Sequence, residues 1–233
     1  MWRDRCDTKK VRFAPRANPY AMESIYKIPL QAAKAEFTEK KSRFISYISP
    51  AFSEDEALAF LRSIREKHRE ATHNVYAYRI KNSGVSRHSD DGEPSGTAGM
   101  PLLDVFIRRE IYDFCCVVTR YFGGVLLGAG GLIRAYARCA AEALEASGIG
   151  EMRETAVCQA TVPYASYESV KRLLISCEAE ITTEDFGADV NFQFLLDSSK
   201  LQLLTDRITE LTAGAISIRV ERNEMRIREK VPR

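Results

Sequence analysis

Two stretches of the 233-residue chain hold the residues best suited to chemistry. The first, "RHSDDGEPSGTAGMP" at residues 87–101, carries Asp90, Asp91 and Glu93 almost side by side. Carboxylates so close together are the donor set of a hard cation such as Mg²⁺. Taken alone, they read first as a solvated acidic turn, with Ser95 or Thr97 capping the helix that follows. His73 and His88 flank the strand leading into it. A polar loop this long is costly to order, and such loops are more often functional than structural.

The second stretch, "RYFGGVLLGAGGLIRAY" at residues 120–136, places five glycines between an apolar strand and a helix. Free N–H groups at a helix start favour an anion. Gly128, Gly130 and Gly131 would shape that cradle. Arg134 and Arg138, four apart, share a helix face, and Arg120 ends the incoming strand. Neither nucleotide pattern fits: Gly131, Leu132 and Ile133 stand where a P-loop needs Gly-Lys-Ser/Thr, and "GAGGLI" lacks the third glycine of a dinucleotide loop. The competing reading is tight backbone packing. It comes first for Gly123 and Gly124, and both readings stay open for Gly130 and Gly131.

No nucleophile with an attendant base stands out, and there is no GxSxG or HExxH. Cys115 and Cys116 sit in an apolar strand, pointing to opposite faces, where a thiolate is disfavoured. The other cysteines, at 6, 139, 158 and 177, form no CxxC pair, and the histidines lack metal-ligand spacing. No cofactor and no metal site are expected. Reduced thiols, no apolar run near 18 residues and no signal-like leader indicate a cytoplasmic protein without a membrane partner. Net charge is +2. Residues 1–22 carry six Lys or Arg against two Asp, residues 23–150 seventeen against sixteen, and residues 151–233 eleven against fourteen. A protein that grips duplex DNA shows a stronger basic excess, so any nucleic-acid contact must be a local patch.

Positioning these residues requires an α+β fold in two domains. Residues 1–22 read as a disordered basic leader, with Met22 an alternative start. The unit at 23–150 starts with strands. A hairpin turns at Lys40 and Lys41. A helix opens on a capping box of Ser53 and Glu56. The strand "HNVYAYRI" and the turn "KNSG" precede the first polar stretch, which is expected to be all loop. A short helix over "MPLLDVFIRRE", the strand "YDFCCVVTRYF", the glycine segment and a helix from about 132 to 147 complete it, with Gly148 as its stop. The unit at 151–228 reads β-α-β-β-α-β, the split βαβ pattern of ferredoxin-like domains. Its helices turn Val170, Leu173, Leu174 and Cys177, then Leu201, Leu204, Ile208 and Leu211, inward. Residues 229–233 are a tail.

The motifs "SDDGEPSGTAGMPLL" and "VVTRYFGGVLLGAGGLIRAY", with "EKKSRFISYISP" and "HNVYAYRI" upstream, resemble the signature of the YigZ/IMPACT family over residues 36–148. The second unit resembles the smaller C-terminal domain of the bacterial members. This resemblance implies a two-layer α/β first domain like that of a ribosomal small-subunit protein and of domain IV of elongation factor G, then a ferredoxin-like domain. It implies regulation of translation through RNA or the ribosome, without an established catalytic residue. Eukaryotic members add an RWD domain that binds a translational scaffold protein. No such domain is read here, so that partner is not expected.

On this reading Lys41, Arg43, Arg79, Arg87, Arg120, Arg134 and Arg138 supply phosphate contacts, and Tyr121 and Phe122 stack on unpaired bases. One alternative is a Mg²⁺-dependent enzyme acting on a phosphorylated small molecule, with metal on Asp90, Asp91 and Glu93 and phosphate on the 128–131 loop. Another is a protein-interaction module in which neither loop binds an anion.

Overall fold

The computed structural model describes residues 25–229. The leader at 1–22, the alternative start at Met22, Cys6 and residues 230–233 lie outside the described residues. Two antiparallel sheets and five α-helices are present among them.

The first sheet has the order β2-β3-β6-β4-β5. Its strands are β2 (Ala33–Glu39), β3 (Ser42–Pro50), β4 (His73–Ile80), β5 (Val85–Ser89) and β6 (Phe114–Tyr121); the strand preceding them, β1, spans Ile25–Pro29. Alternation along the strands sends apolar side chains to both faces. Phe44, Ile48, Val75, Cys116 and Val118 meet α2 (Gly99–Arg108) and α3 (Ala129–Ser147). Ile45, Tyr47, Cys115 and Val117 meet α1 (Glu54–Lys67) on the other side. Helices therefore cover both faces, and the expected two-layer unit is a three-layer one. The cause is that β6 is buried along nearly its whole length, so neither face can be left to solvent. Cys115 and Cys116 do point to opposite cores.

Three local readings are corrected. Val85–Ser89, expected to be loop, pairs with β4 as an edge strand; its polar residues hid it because an edge strand needs no apolar face. α3 begins at Ala129 rather than 132 and takes in the glycine pair. The capping box is half formed: Ser53 Oγ accepts from the Glu56 amide (3.2 Å), but the Glu56 carboxylate accepts from Phe52 N–H (2.8 Å), one residue before the cap.

The second sheet holds β7 (Ile149–Val162), β8 (Glu180–Phe186), β9 (Val190–Asp197) and β10 (Arg219–Glu229) in the order β10-β7-β9-β8, all antiparallel. Helices α4 (Tyr167–Ser176) and α5 (Leu201–Thr212) pack on one face through Val170, Leu174, Leu204 and Ile208. Leu211, expected inside, is exposed. β7 is long enough to pair also with β1, whose residues lie within the span assigned to the first unit. Lys27 of β1 bridges in turn to Ile111, so this strand is stitched to both units.

The two-residue turn of the β2–β3 hairpin has both residues left-handed, Lys40 at φ 44° and Lys41 at φ 66°, the geometry whose twist matches paired strands. Against it lies Gly123, where a Cβ would fall 1.9 Å from the Lys41 carbonyl oxygen. Gly130, inside α3, would meet only the tip of Arg134 at 3.6 Å. The two glycines therefore respond oppositely to alanine. Gly123→Ala is expected to destabilise by at least about 1–3 kcal/mol through backbone overlap. Gly130→Ala is expected to stabilise by about 0.4–1 kcal/mol through lost chain entropy. Chemical denaturation of both variants checks this pair of signs.

Candidate functional site

The end of the first sheet that carries the hairpin turn also carries both motif loops. His73, Arg120, Phe44 and Phe37 form one row across four strands, on the α2/α3 face. Arg120 is 4% exposed and lies between two rings, with its Cζ 5.4 Å from the Phe44 centroid and 5.5 Å from that of Phe122. Its Nη1 donates to both oxygens of Glu93, at 2.7 and 2.9 Å, and its Nη2 donates to Ser42 Oγ at 3.3 Å. Tyr136 on α3 donates to the same carboxylate at 2.7 Å. Burial, then the charge of Glu93, push the Tyr136 hydroxyl well above the ordinary phenol range.

Glu93 thus fastens the 90–97 loop to the residue before the glycine segment and to the helix after it. His73 completes the cluster. Its Nδ1 lies 2.8 Å from the Asp91 carbonyl. That oxygen can only accept, so Nδ1 donates. Nε2 faces Glu93 at 3.8 Å.

Asp90 caps α2, accepting from the amides of Gly96, Ala98 and Gly99 at 2.9, 3.0 and 2.8 Å. Burial opposes its charge, but these three bonds outweigh it and hold the carboxyl below its usual range. Asp90 therefore does the capping expected of Ser95 or Thr97: Ser95 is exposed, and Thr97 Oγ1 donates to the Pro94 carbonyl. Asp91 accepts from Arg65 (2.8 Å) and from the Asn74 amide (2.7 Å). All three carboxylates of the loop have protein partners. No group of three or more His, Cys, Asp or Glu able to hold a metal exists among the described residues.

The cation set divides. Arg120 is internal and unavailable to a ligand arriving from solvent. Arg79 stacks on Tyr112 at 3.7 Å, at the far end of β4. Arg87 and His88 are exposed on the edge strand β5, away from the glycine segment. Arg43 lies on the α1 face, bound to Glu36 at 2.6 Å. Beside it Tyr121 is half-buried, its hydroxyl 2.8 Å from His68 Nδ1, while His68 Nε2 meets Tyr47 at 2.8 Å. Tyr121 is therefore occupied within the fold. Arg138 pairs with Glu142 at 2.7 Å and covers Phe37 at 4.1 Å.

What gathers at the surface is smaller than the sequence set and includes residues it missed. α3 runs antiparallel to β2: Ser147 at its end bonds Gln31, Arg138 covers Phe37, and Arg134 lies one turn nearer the hairpin tip. Arg134, Lys40 and Lys41 are exposed and have no ion pair or side-chain hydrogen bond among the described residues. The amides of Ala129, Gly130 and Gly131 precede the first intrahelical bond, from Leu132 N–H to the Gly128 carbonyl (3.0 Å). Between them the loop offers apolar residues to solvent: Phe122 is 45% and Leu126 82% exposed, with Val125 and Ile133 nearby in sequence and also exposed. Leu127 is tucked inside and anchors this loop. Tyr136 carried a usable sign, a hydroxyl on an apolar helix stripe that requires a partner.

Residues 40–144 match the family model "Impact N-terminal domain", and residues 161–215 match "Domain of unknown function (DUF1949)". The chain is 37% identical over 190 residues to "IMPACT family member YvyE" of Bacillus subtilis, covering 81% of this chain and 88% of that one. It is 32% identical over 184 residues to "IMPACT family member YigZ" of Escherichia coli, covering 77% and 89%. To rat "Protein IMPACT" it is 34% identical over 107 residues, only 33% of that protein. A crystal structure described as a hypothetical protein superposes with TM-score 0.55 at 28% identity, over 86% of this chain and 99% of that one.

Two outcomes are expected from this geometry. Arg120→Met or Glu93→Leu alone should each cost about 3–5 kcal/mol, because each leaves a buried charge without its partner. The double variant should cost less than the sum, and a denaturation cycle measures the difference. Separately, burial first, then the charges of Lys67 and Arg43, lower the His68 pKa below its ordinary value of about 6.5. The unfolded chain then binds that proton more tightly, so this contribution to stability is full above about pH 6.5 and falls as pH drops below it. Denaturation at pH 7.5 and 5.5 should show a smaller loss in His68→Gln than in the parent chain.

Proposed function

The chain belongs to the IMPACT family, and from that premise we propose that it regulates translation in the cytoplasm by binding RNA or the ribosome, without catalysis. The observation that carries this reading is the meeting, at one end of the first sheet, of three cations that have no side-chain partner among the described residues with the amides that precede the first intrahelical bond of α3. Lys40, Lys41 and Arg134 supply phosphate contacts, with Gly128, Gly130 and Gly131 shaping the approach. Phe122 offers a ring to an unpaired base. Affinity is modest, because the cation set is small and the folded units are near neutral.

The same premise supports reading the first unit, 23–150, as similar to a ribosomal-protein domain. The strand order β10-β7-β9-β8 with two helices on one face supports reading the second, 151–228, as ferredoxin-like. The Mg²⁺-enzyme reading has no support from the 90–97 loop, whose carboxylates already serve the fold. The exposed Leu126 and Val125 favour a second reading, docking of a ribosomal or regulatory protein on the same tip.

Ribosome co-sedimentation at low and high salt tests the proposal. Binding at low salt that weakens as salt rises is expected, and absence from the ribosomal fraction at low salt would sink it. Arg134→Ala should weaken RNA binding by about 1.5–3 kcal/mol and reduce the salt slope by about one. Its melting temperature should stay close to that of the parent, since Arg134 is exposed and has no ion pair among the described residues. Loss of binding on Leu126→Asp with RNA affinity intact would favour the protein-docking reading.

A further inference from the structure

The second unit carries an open groove of about 570 Å³ between α4 and α5, far in sequence from both motif loops. One wall is Ser169, Arg172, Leu173 and Ser176, spaced i, i+3, i+4 and i+7, a single face of α4. The other is Arg207, Glu210 and Leu211, a single face of α5. Val170, Leu174, Leu204 and Ile208 point from the same helices into the core, and Leu173 is shared, half-buried against that core and lining the groove. Leu211 stands 49% exposed at the groove, and Ile175 and Leu203 are exposed on the same helices. Of these only Leu211 lines the groove, where with half-buried Leu173 it gives an apolar floor that a partner's apolar face would cover.

We propose that this groove docks an acidic amphipathic helix of a partner protein. Charge complementarity identifies the occupant. Arg172 and Arg207 flank the apolar floor from opposite walls, and neither has an ion pair or side-chain hydrogen bond among the described residues. Glu210 is the one acid against them. The surrounding segment, 151–233, is acidic, with eleven basic residues against fourteen, so the groove is a basic site in an acidic unit.

The walls run over residues 169–176 and 207–211, within helices of 10 and 12 residues. That fits a helix of about three turns, laid with an i, i+3/i+4, i+7 apolar stripe on Leu173 and Leu211 and carboxylates along its flanks. RNA fits poorly, because no aromatic side chain lines the groove for base stacking. The chain's own residues 1–22 are basic, six against two, and the arginines would repel them. A second copy of the groove would bring arginine against arginine.

A displayed library of three-turn helices tests this, with the apolar stripe fixed and the flanks randomised among acidic, basic and neutral residues. It is selected on the full chain, and enriched peptides are measured by fluorescence anisotropy. Acid-flanked helices should be enriched. Their affinity should fall at least about tenfold on the Arg172→Glu/Arg207→Glu variant, the scale of lost interfacial charge pairs, and on Leu211→Asp, while Arg134→Ala leaves it unchanged. The arginine pair is exposed, so that variant should keep its melting temperature and remain informative if Leu211→Asp misfolds. Four results would overturn the proposal: no enrichment above background; enriched helices that are basic or indifferent to charge; affinities insensitive to the groove variants; or competition for the groove by a 20-nucleotide RNA or by a peptide of residues 1–22.

Discussion

The buried pairing of Arg120 with Glu93 is the constraint on which the motif-bearing end of the molecule depends. A guanidinium and a carboxylate taken out of water are tolerable only if their geometry is good and their remaining hydrogen-bonding capacity is met. Here the fold supplies Ser42 from β3, Tyr136 from α3 and two aromatic rings. Arg120 Nε is left without a partner. Such a pair is a weak source of net stability. What it provides is position. Glu93 cannot leave Arg120 without stranding a charge, so the 90–97 loop, the end of β6 and the start of α3 must sit together.

Fixing the loops in this way explains how a polar, glycine-rich surface stays ordered. The 90–97 loop has little apolar content, yet Asp90 closes it by capping α2 and Asp91 ties it to β4 and α1. The glycine segment is held from beneath by Leu127 and from the side by the Lys41 carbonyl, which Gly123 alone can approach so closely. With both loops pinned, Leu126 and Val125 can be presented to solvent instead of collapsing inward. The left-handed Lys40 and Lys41 fit the same pattern, since strained backbone persists only where its surroundings over-determine it.

The sequence disclosed elements with strong periodicity and misjudged groups whose role depends on who stands opposite. The helices over 54–67 and 201–212, the hairpin at Lys40 and Lys41, and the opposed faces of Cys115 and Cys116 all follow from local spacing. The edge strand β5 was hidden by its polarity, and β1 was placed with its sequence neighbours although its hydrogen-bonding partner is β7, more than a hundred residues on. Arg120, read as a surface phosphate contact, is internal because a glutamate 27 positions earlier meets it. Local patterns describe a residue's own element. Long-range pairing decides whether a charge faces solvent or the core, and spacing along one chain does not encode it.

Charge is also used differently in the two units. In the first, most charged groups near the loops are neutralised within the protein, which leaves Lys40, Lys41 and Arg134 as a small set without an ion pair among the described residues, on an ordered platform. In the second, Arg172 and Arg207 of the α4–α5 groove have no ion pair among the described residues, and Glu210 is the one acid that lines the groove with them. A nearly neutral chain can in this way carry two separate cationic surfaces, each local and each weak over long range, because fields from so few charges are screened within about 8–10 Å at physiological salt. Recognition at either surface must then come from contact geometry, backbone amides and apolar tips in one case and an apolar floor in the other. Long-range steering contributes little to either.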